Sequence, residues 1–161
     1  MMGNEIKVGI SDYRISESPD KLITLGLGSC VGIAIYDKER KIGGLSHIML
    51  PDSTFFNGEK KPEKFADLAI PKMIDEITKG RNNKNLVAKI AGGASMFNFP
   101  GKKDSDSIGS RNVQAVLAKL NELNIPILSR HTGGNIGRTM VVDLGDFTVS
   151  IRTVNREVIS I

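Results

Sequence analysis

The chain has 161 residues, 40% hydrophobic and 25% charged, with a formal net charge of +4 and a pI near 9.2. That composition is globular, long enough for one domain over residues 1–161 to bury a core, and it excludes a disordered chain. A single cysteine excludes a disulfide-stapled scaffold and points to a reducing cytoplasm; no apolar run is long enough for membrane insertion, and the lack of tryptophan speaks against a nucleic-acid partner.

Ile6 to Ile10 alternates apolar with polar or small residues, and Leu22 to Leu27 is an apolar run interrupted by Thr24; both read as strands. After the glycines that precede Cys30, Val31, Ile33 and Ile35 recur with a period of two and predict another strand. The charged segment Asp37 to Arg40 then reads as a hairpin loop, and Lys41 to Leu50 as its return strand, ended by Pro51. Asp52 to Pro62 is polar and loop-like. From Pro62, the positions Phe65, Leu68, Ala69, Met73, Ile74 and Ile77 recur at helical spacing up to Gly80, and Pro71 inside them predicts a kink or split.

Leu86 to Ala91 is a short strand stopped by Gly92 and Gly93. Ser107 to Asn124 is the clearest helix, with Val113, Val116, Leu117, Leu120 and Leu123 in one stripe and Ser107 or Ser110 as its cap. Ile125 to Ser129 follows, then a glycine-rich loop from His131 to Arg138. Thr139 to Leu144 and Phe147 to Val154 bracket Gly145 and Asp146 as a second hairpin, and Val158 to Ile161 adds a last short strand. The class is α+β: an α/β sandwich of mixed, largely antiparallel β-sheets with two main helices.

With Asp37 to Arg40 as the loop, the first hairpin sets Cys30 directly opposite His47, on one face, with Cβ atoms about 5 Å apart. A slip of one residue would put them on opposite faces. A thiol beside an imidazole is a way of making a nucleophile, because a neighbouring histidinium lowers the thiol pKa below its ordinary value of about 8.5. Glycines before Cys30 open room for a substrate carbonyl, and backbone N–H groups of the turn at Gly28 and Ser29 are candidate oxyanion donors. Ser29 or Thr24 is placed to orient the imidazole. The competing reading makes Cys30 a small buried hydrophobe and His47 a satisfied core histidine. His131, in the glycine-rich loop, is a rival base.

Other motifs do not hold. Gly26, Gly28 and Gly32 miss the spacing of a dinucleotide fingerprint. The run Gly28-Ser29-Cys30-Val31-Gly32 has the spacing of a nucleophile elbow, but a strand follows it where a helix belongs. One cysteine and two histidines form no metal-ligand cluster, so no metal and no cofactor are expected. The segment GGNIGR reads either as an anion site using Arg138 or as a tight turn.

The segments LGLGSCVGIAIYD, GGLSHIMLP, AGGASMF, IGSRN and TGGNIGR, in this order between Thr24 and about Arg152, resemble the CheD family of chemoreceptor glutamine deamidases. The resemblance implies a fold shared with bacterial deamidating toxins and a Cys-His-Thr triad. In it Cys30 is the nucleophile, His47 the general base and acid, and Thr24 the residue that orients His47. It further implies conversion of selected glutamines of methyl-accepting chemotaxis receptors to glutamates, hydrolysis of receptor methyl esters in some members, and CheC, a receptor-mimicking phosphatase, as partner. A non-catalytic module that binds CheC or a receptor is the alternative. Two positions depart from the family: Lys64-Phe65-Ala66-Asp67 stands for Arg-Tyr-Ala-Asp, and His131 stands for an acidic residue, so His131 inherits no role. For docking on acidic receptor helices the candidates are Lys60, Lys61, Lys64, Lys102 and Lys103, which read equally well as solvated loop lysines.

Overall fold

All seven residues of Val31–Asp37 are buried, so the strand they form must be covered on both faces. In the computed structural model, which describes residues 2–96 and 107–161, a pair of helices covers one face and a second sheet covers the other. The strands are β1 (Glu5–Lys7), β2 (Asp12–Glu17), β3 (Lys21–Leu27), β4 (Val31–Asp37), β5 (Ile42–Ile48), β6 (Leu86–Gly92), β7 (Ile127–Thr132), β8 (Arg138–Asp143), β9 (Val149–Thr153) and β10 (Val158–Ser160). The helices are α1 (Ala66–Thr78) and α2 (Ile108–Glu122).

The first sheet runs β2-β5-β4-β6-β7 and the second β1-β3-β8-β9-β10. Only β1–β3 and β6–β7 pair in parallel; the other neighbours are antiparallel. The expected α+β class, with mixed, largely antiparallel sheets and two main helices, is what the chain forms.

Alternation along β4 assigns its side chains to two cores. Ile33 and Ile35 pack with Ile70, Met73, Ile77, Val116 and Leu120 of the helices. Ala34 and Tyr36 face Leu22, Met140 and Val142 of the second sheet. Each large aliphatic side chain buried in this way contributes about 1.5–3 kcal/mol. Gly32 lies on the inter-sheet face, where a Cβ would stand 2.7 Å from Met140 Sδ, so the two sheets close directly over it.

Two local expectations are corrected. Strand β2 was not expected, because its residues Asp12, Arg14 and Ser16 give it a polar look; it is an edge strand whose Tyr13 and Ile15 pack inward. The first helix passes through Pro71 as one element, and the break falls at Phe65 instead. Phe65 is extended, bridges to Leu50, and separates α1 from a 3₁₀ turn at Pro62–Lys64. Helix α2 is capped by Ser107, whose Oγ accepts from the Ser110 N–H at 3.1 Å.

Candidate active site

Cys30 sits just before β4, His47 in β5, and Thr24 in β3 of the opposite sheet. The β4–β5 ladder runs from Asp37↔Ile42 to Val31↔Ile48, which places Gly32, not Cys30, opposite His47. The expected register is therefore displaced by two residues, because the loop begins after Asp37 instead of at it. An even displacement preserves the face. Cys30 joins the inter-sheet core with Leu45, the residue two before His47 on the same side of β5. Extending the ladder sets Met49 opposite Cys30 and His47 on the adjoining diagonal, about 7–8 Å away and within reach of a long or aromatic side chain.

The imidazole of His47 is 2% exposed and its two nitrogens have different surroundings. Nδ1 lies 2.7 Å from Thr24 Oγ1, and Thr24 Oγ1 donates to the Val8 carbonyl at 2.8 Å. A hydroxyl has one proton, and Val8 O takes it, so Thr24 must accept at Nδ1 and His47 carries its proton there. The Nε2 lone pair is left buried and without a hydrogen-bond partner among the described residues. Val8 is itself held, its N–H donating to Ile23 O at 2.8 Å.

Burial sets the protonation of both groups. It pushes the Cys30 thiol above its ordinary value, its own backbone N–H offsetting part of the rise. It pushes His47 down to about 4. At neutral pH the resting pair is a neutral thiol and a neutral imidazole. This reverses the expectation of a histidinium that lowers the thiol pKa.

The turn that carries Cys30 is fastened through its carbonyls. Gly28 O accepts from Ala94 N at 2.8 Å, Ser29 O from Asn112 Nδ2 at 2.9 Å, and Cys30 O from Gly93 N at 2.8 Å. The Gly28 N–H is spent on Gly26 O at 3.0 Å. The amide of Ser29 donates to no backbone acceptor among the described residues, and that of Cys30 faces only its own thiol. Gly92 has φ +110, and a Cβ there would lie 2.3 Å from Cys30 O, so only glycine lets β6 approach the turn. Beside the turn, Leu25 and Met96 are exposed apolar side chains.

His131 is not brought to this site. It pairs with Ala91, Ala91 with Gly32, and Gly32 with His47, so three strand spacings, about 14 Å, separate the two histidines. Its pKa is lowered, first by burial and then by the charge of Arg138. Arg138 is buried without a carboxylate among the described residues; its Nη1 donates to Gly92 O at 2.7 Å and its Nη2 to Gly133 O. The segment GGNIGR thus braces the glycine turn behind Cys30. Lys60 and Lys61 are exposed, Lys64 lies 5.7 Å from the Phe56 ring, and Lys102 and Lys103 fall outside the described residues.

Two supporting groups escaped the sequence reading. The Val8 carbonyl leaves no mark in a sequence. Asn112 does: it is a polar residue inside the apolar stripe of α2 and is fully buried.

Comparison with known proteins adds a family to this geometry. A family profile described as CheD chemotactic sensory transduction matches residues 49–153. The chain is 59% identical over 151 residues to a protein of Clostridium kluyveri named probable chemoreceptor glutamine deamidase CheD, covering 93% of each. A protein of the same name from Clostridium novyi is 55% identical over 155 residues, 96% of each. Among solved structures, the hypothetical protein YfiH of Bacillus licheniformis is a remote likeness, with TM-score 0.43 and 16% identity over 74% of this chain and 49% of that one.

Proposed function

This chain belongs to the CheD family, and we propose that it is a chemoreceptor glutamine deamidase with Cys30 as nucleophile, His47 as base and acid, and Thr24 as the residue that orients His47. The relatives' names support the activity and its receptor substrate. The observation that carries the residue assignment is the divided environment of His47: Nδ1 tied to Thr24, Nε2 bare and buried.

The chemistry starts from the neutral pair. As Cys30 Sγ bonds to the carboxamide carbon of a receptor glutamine, its proton passes to His47 Nε2. The oxyanion is held by the amides of Ser29 and Cys30, while Gly28, whose N–H is committed, supplies room for the substrate. The imidazolium then gives its proton to the amide nitrogen, the C–N bond breaks, ammonia leaves, and a glutamyl thioester remains on Cys30. Water gives a proton to Nε2 and adds to the thioester carbon; the C–S bond breaks, the thiol recovers the proton, and glutamate is released. A receptor methyl ester follows the same steps with methanol as leaving group. Neither step requires a metal or cofactor.

The remaining assignments follow from this reading. Residues 1–161 act as one domain in the cytoplasm, where receptor signalling helices lie. CheC, as a receptor mimic, competes for the same surface. No helix among the described residues is long and apolar enough to cross a membrane.

The test is conversion of glutamine to glutamate in receptor cytoplasmic fragments, followed by mass spectrometry with wild type and Cys30→Ala. Conversion by wild type alone supports the deamidase. Equal conversion by both would remove Cys30 from the chemistry, and conversion by neither with retained receptor binding favours a non-catalytic adaptor.

A further inference from the structure

We propose that Asn112 is a positioning residue of the active site, the rung that holds the nucleophile turn against the strand bearing the base. This rests on reading Cys30 and His47 as nucleophile and base.

The β4–β5 ladder ends at Val31↔Ile48. Beyond it the two chains carry Cys30 and its opposite number Met49, and no backbone hydrogen bond joins them among the described residues. The Met49 N–H turns away to Lys64 O at 2.9 Å. Asn112 fills the missing place. Its single amide nitrogen gives one proton to Ser29 O and the other to Met49 O, each at 2.9 Å. Those carbonyls flank the site: Ser29 precedes Cys30, and Met49 lies two residues past His47.

Among uncharged side chains only an amide does this. The bridge needs two N–H donors on one atom, in a plane, at a position with 0% exposure. A hydroxyl has one donor and a carboxylate none. The other half of the amide, Oδ1, is buried with no partner among the described residues, so the side chain is kept for its donors. Turning the Ser29 carbonyl toward α2 also leaves the following amide, that of Cys30, facing the other way. One side chain therefore fixes both the Cys30–His47 separation and the direction of a proposed oxyanion donor.

A merely structural asparagine predicts something different, and three variants separate the cases. Asn112→Asp keeps the shape and removes the donors; Asn112→Ala removes both. Val116→Ala, on the same buried stripe but among apolar neighbours, loosens α2 without touching the rung. Each is measured for melting temperature, for kcat and KM on a receptor fragment, and for the pH profile of iodoacetamide alkylation, which reads Cys30 alone because the chain has no other thiol.

Positioning by Asn112 predicts that both Asn112 variants lose about tenfold or more in kcat with KM nearly unchanged. At the same time Cys30 becomes easier to alkylate, its midpoint falling toward the free-thiol value of about 8.5 as the turn loosens. Val116→Ala lowers the melting temperature but keeps the wild-type alkylation profile. Wild-type kcat and profile in folded Asn112 variants would overturn the proposal. So would failure of both to fold while Val116→Ala folds, since Asn112 would then serve stability alone. If wild type converts no receptor glutamine, the deamidase reading fails by itself, and the alkylation profiles still decide the role of Asn112.

Discussion

Thr24 Oγ1 and His47 Nδ1 meet at 2.7 Å across the gap between two sheets, and the Val8 carbonyl behind Thr24 decides which of them donates. Two strands and the segment that follows β1 thus set the tautomer of one imidazole. The consequence reaches the far side of the ring, where Nε2 is left as a lone pair with no partner among the described residues.

Replacing Thr24 probes this chain of donors. Thr24→Ser keeps the hydroxyl and should retain most of kcat. Thr24→Val leaves a buried Nδ1–H without an acceptor, costing about 1–3 kcal/mol, or roughly 5- to 150-fold in kcat. That loss is smaller than for Cys30→Ala, because Thr24 orients and transfers no proton. Nitrogen NMR of His47 should show the Nδ1–H form in wild type and a mixture of tautomers in Thr24→Val. A single unchanged tautomer in the variant would contradict the assignment.

Activity should depend on pH through the pair, which works with one dissociable proton shared between thiol and imidazole. Below about 4 His47 is protonated and no longer a base, so kcat/KM falls with acid there. Above the raised thiol pKa that shared proton is lost and the leaving amine goes unprotonated, so kcat/KM falls again. Between these limbs the profile is flat through neutrality. An acid limb near 6.5 would show a solvated His47 instead.

Stability should carry the same signature. The folded pKa of His47 is depressed from 6.5 to about 4, so between those values the unfolded chain binds a proton that the folded one refuses. Stability therefore rises with pH across that window and is lost as pH falls through it, by about 3 kcal/mol at most. Denaturant titrations of wild type and His47→Gln should diverge there, the variant losing this part of the slope. Parallel curves would refute a buried, neutral histidine.

The glycine behind Cys30 gives a steric test. Gly92→Ala places a Cβ 2.3 Å from Cys30 O on a backbone at φ +110, and should cost about 1–3 kcal/mol of stability along with most of kcat. Gly9→Ala, which meets nothing within 4 Å, should change kcat little. Melting curves and initial rates measure both. Full activity in Gly92→Ala would mean that the turn does not depend on this approach.

What could be read from the residues was local. The apolar period of β4, the charged hairpin loop and the Ser107 cap of α2 each lie within a few residues of their cause, and each fell close to its observed place. The hairpin register was legible only to its face, since the loop starts one residue later than its charges suggest. Strand β2 was hidden because an edge strand needs only one apolar face and tolerates charge on the other. The Thr24–His47 contact joins residues of different sheets, which no spacing along the chain predicts; the residues alone left Thr24 and Ser29 as alternatives, and family likeness favoured Thr24. Asn112 was visible as a polar break in an apolar stripe, yet its partners Ser29 and Met49 lie far away in sequence. The protonation of Cys30 and His47 was misjudged because neighbours can be guessed from a sequence and burial much less so.

The chemistry at Cys30 is tested most directly by trapping the acyl group it is proposed to carry. Receptor fragments incubated with wild type in increasing hydroxylamine should yield glutamyl hydroxamate at the modified glutamines, rising at the expense of glutamate, and Cys30→Ala should yield neither. Glutamate alone at every hydroxylamine concentration, or hydroxamate formed equally by Cys30→Ala, would contradict a thioester on Cys30.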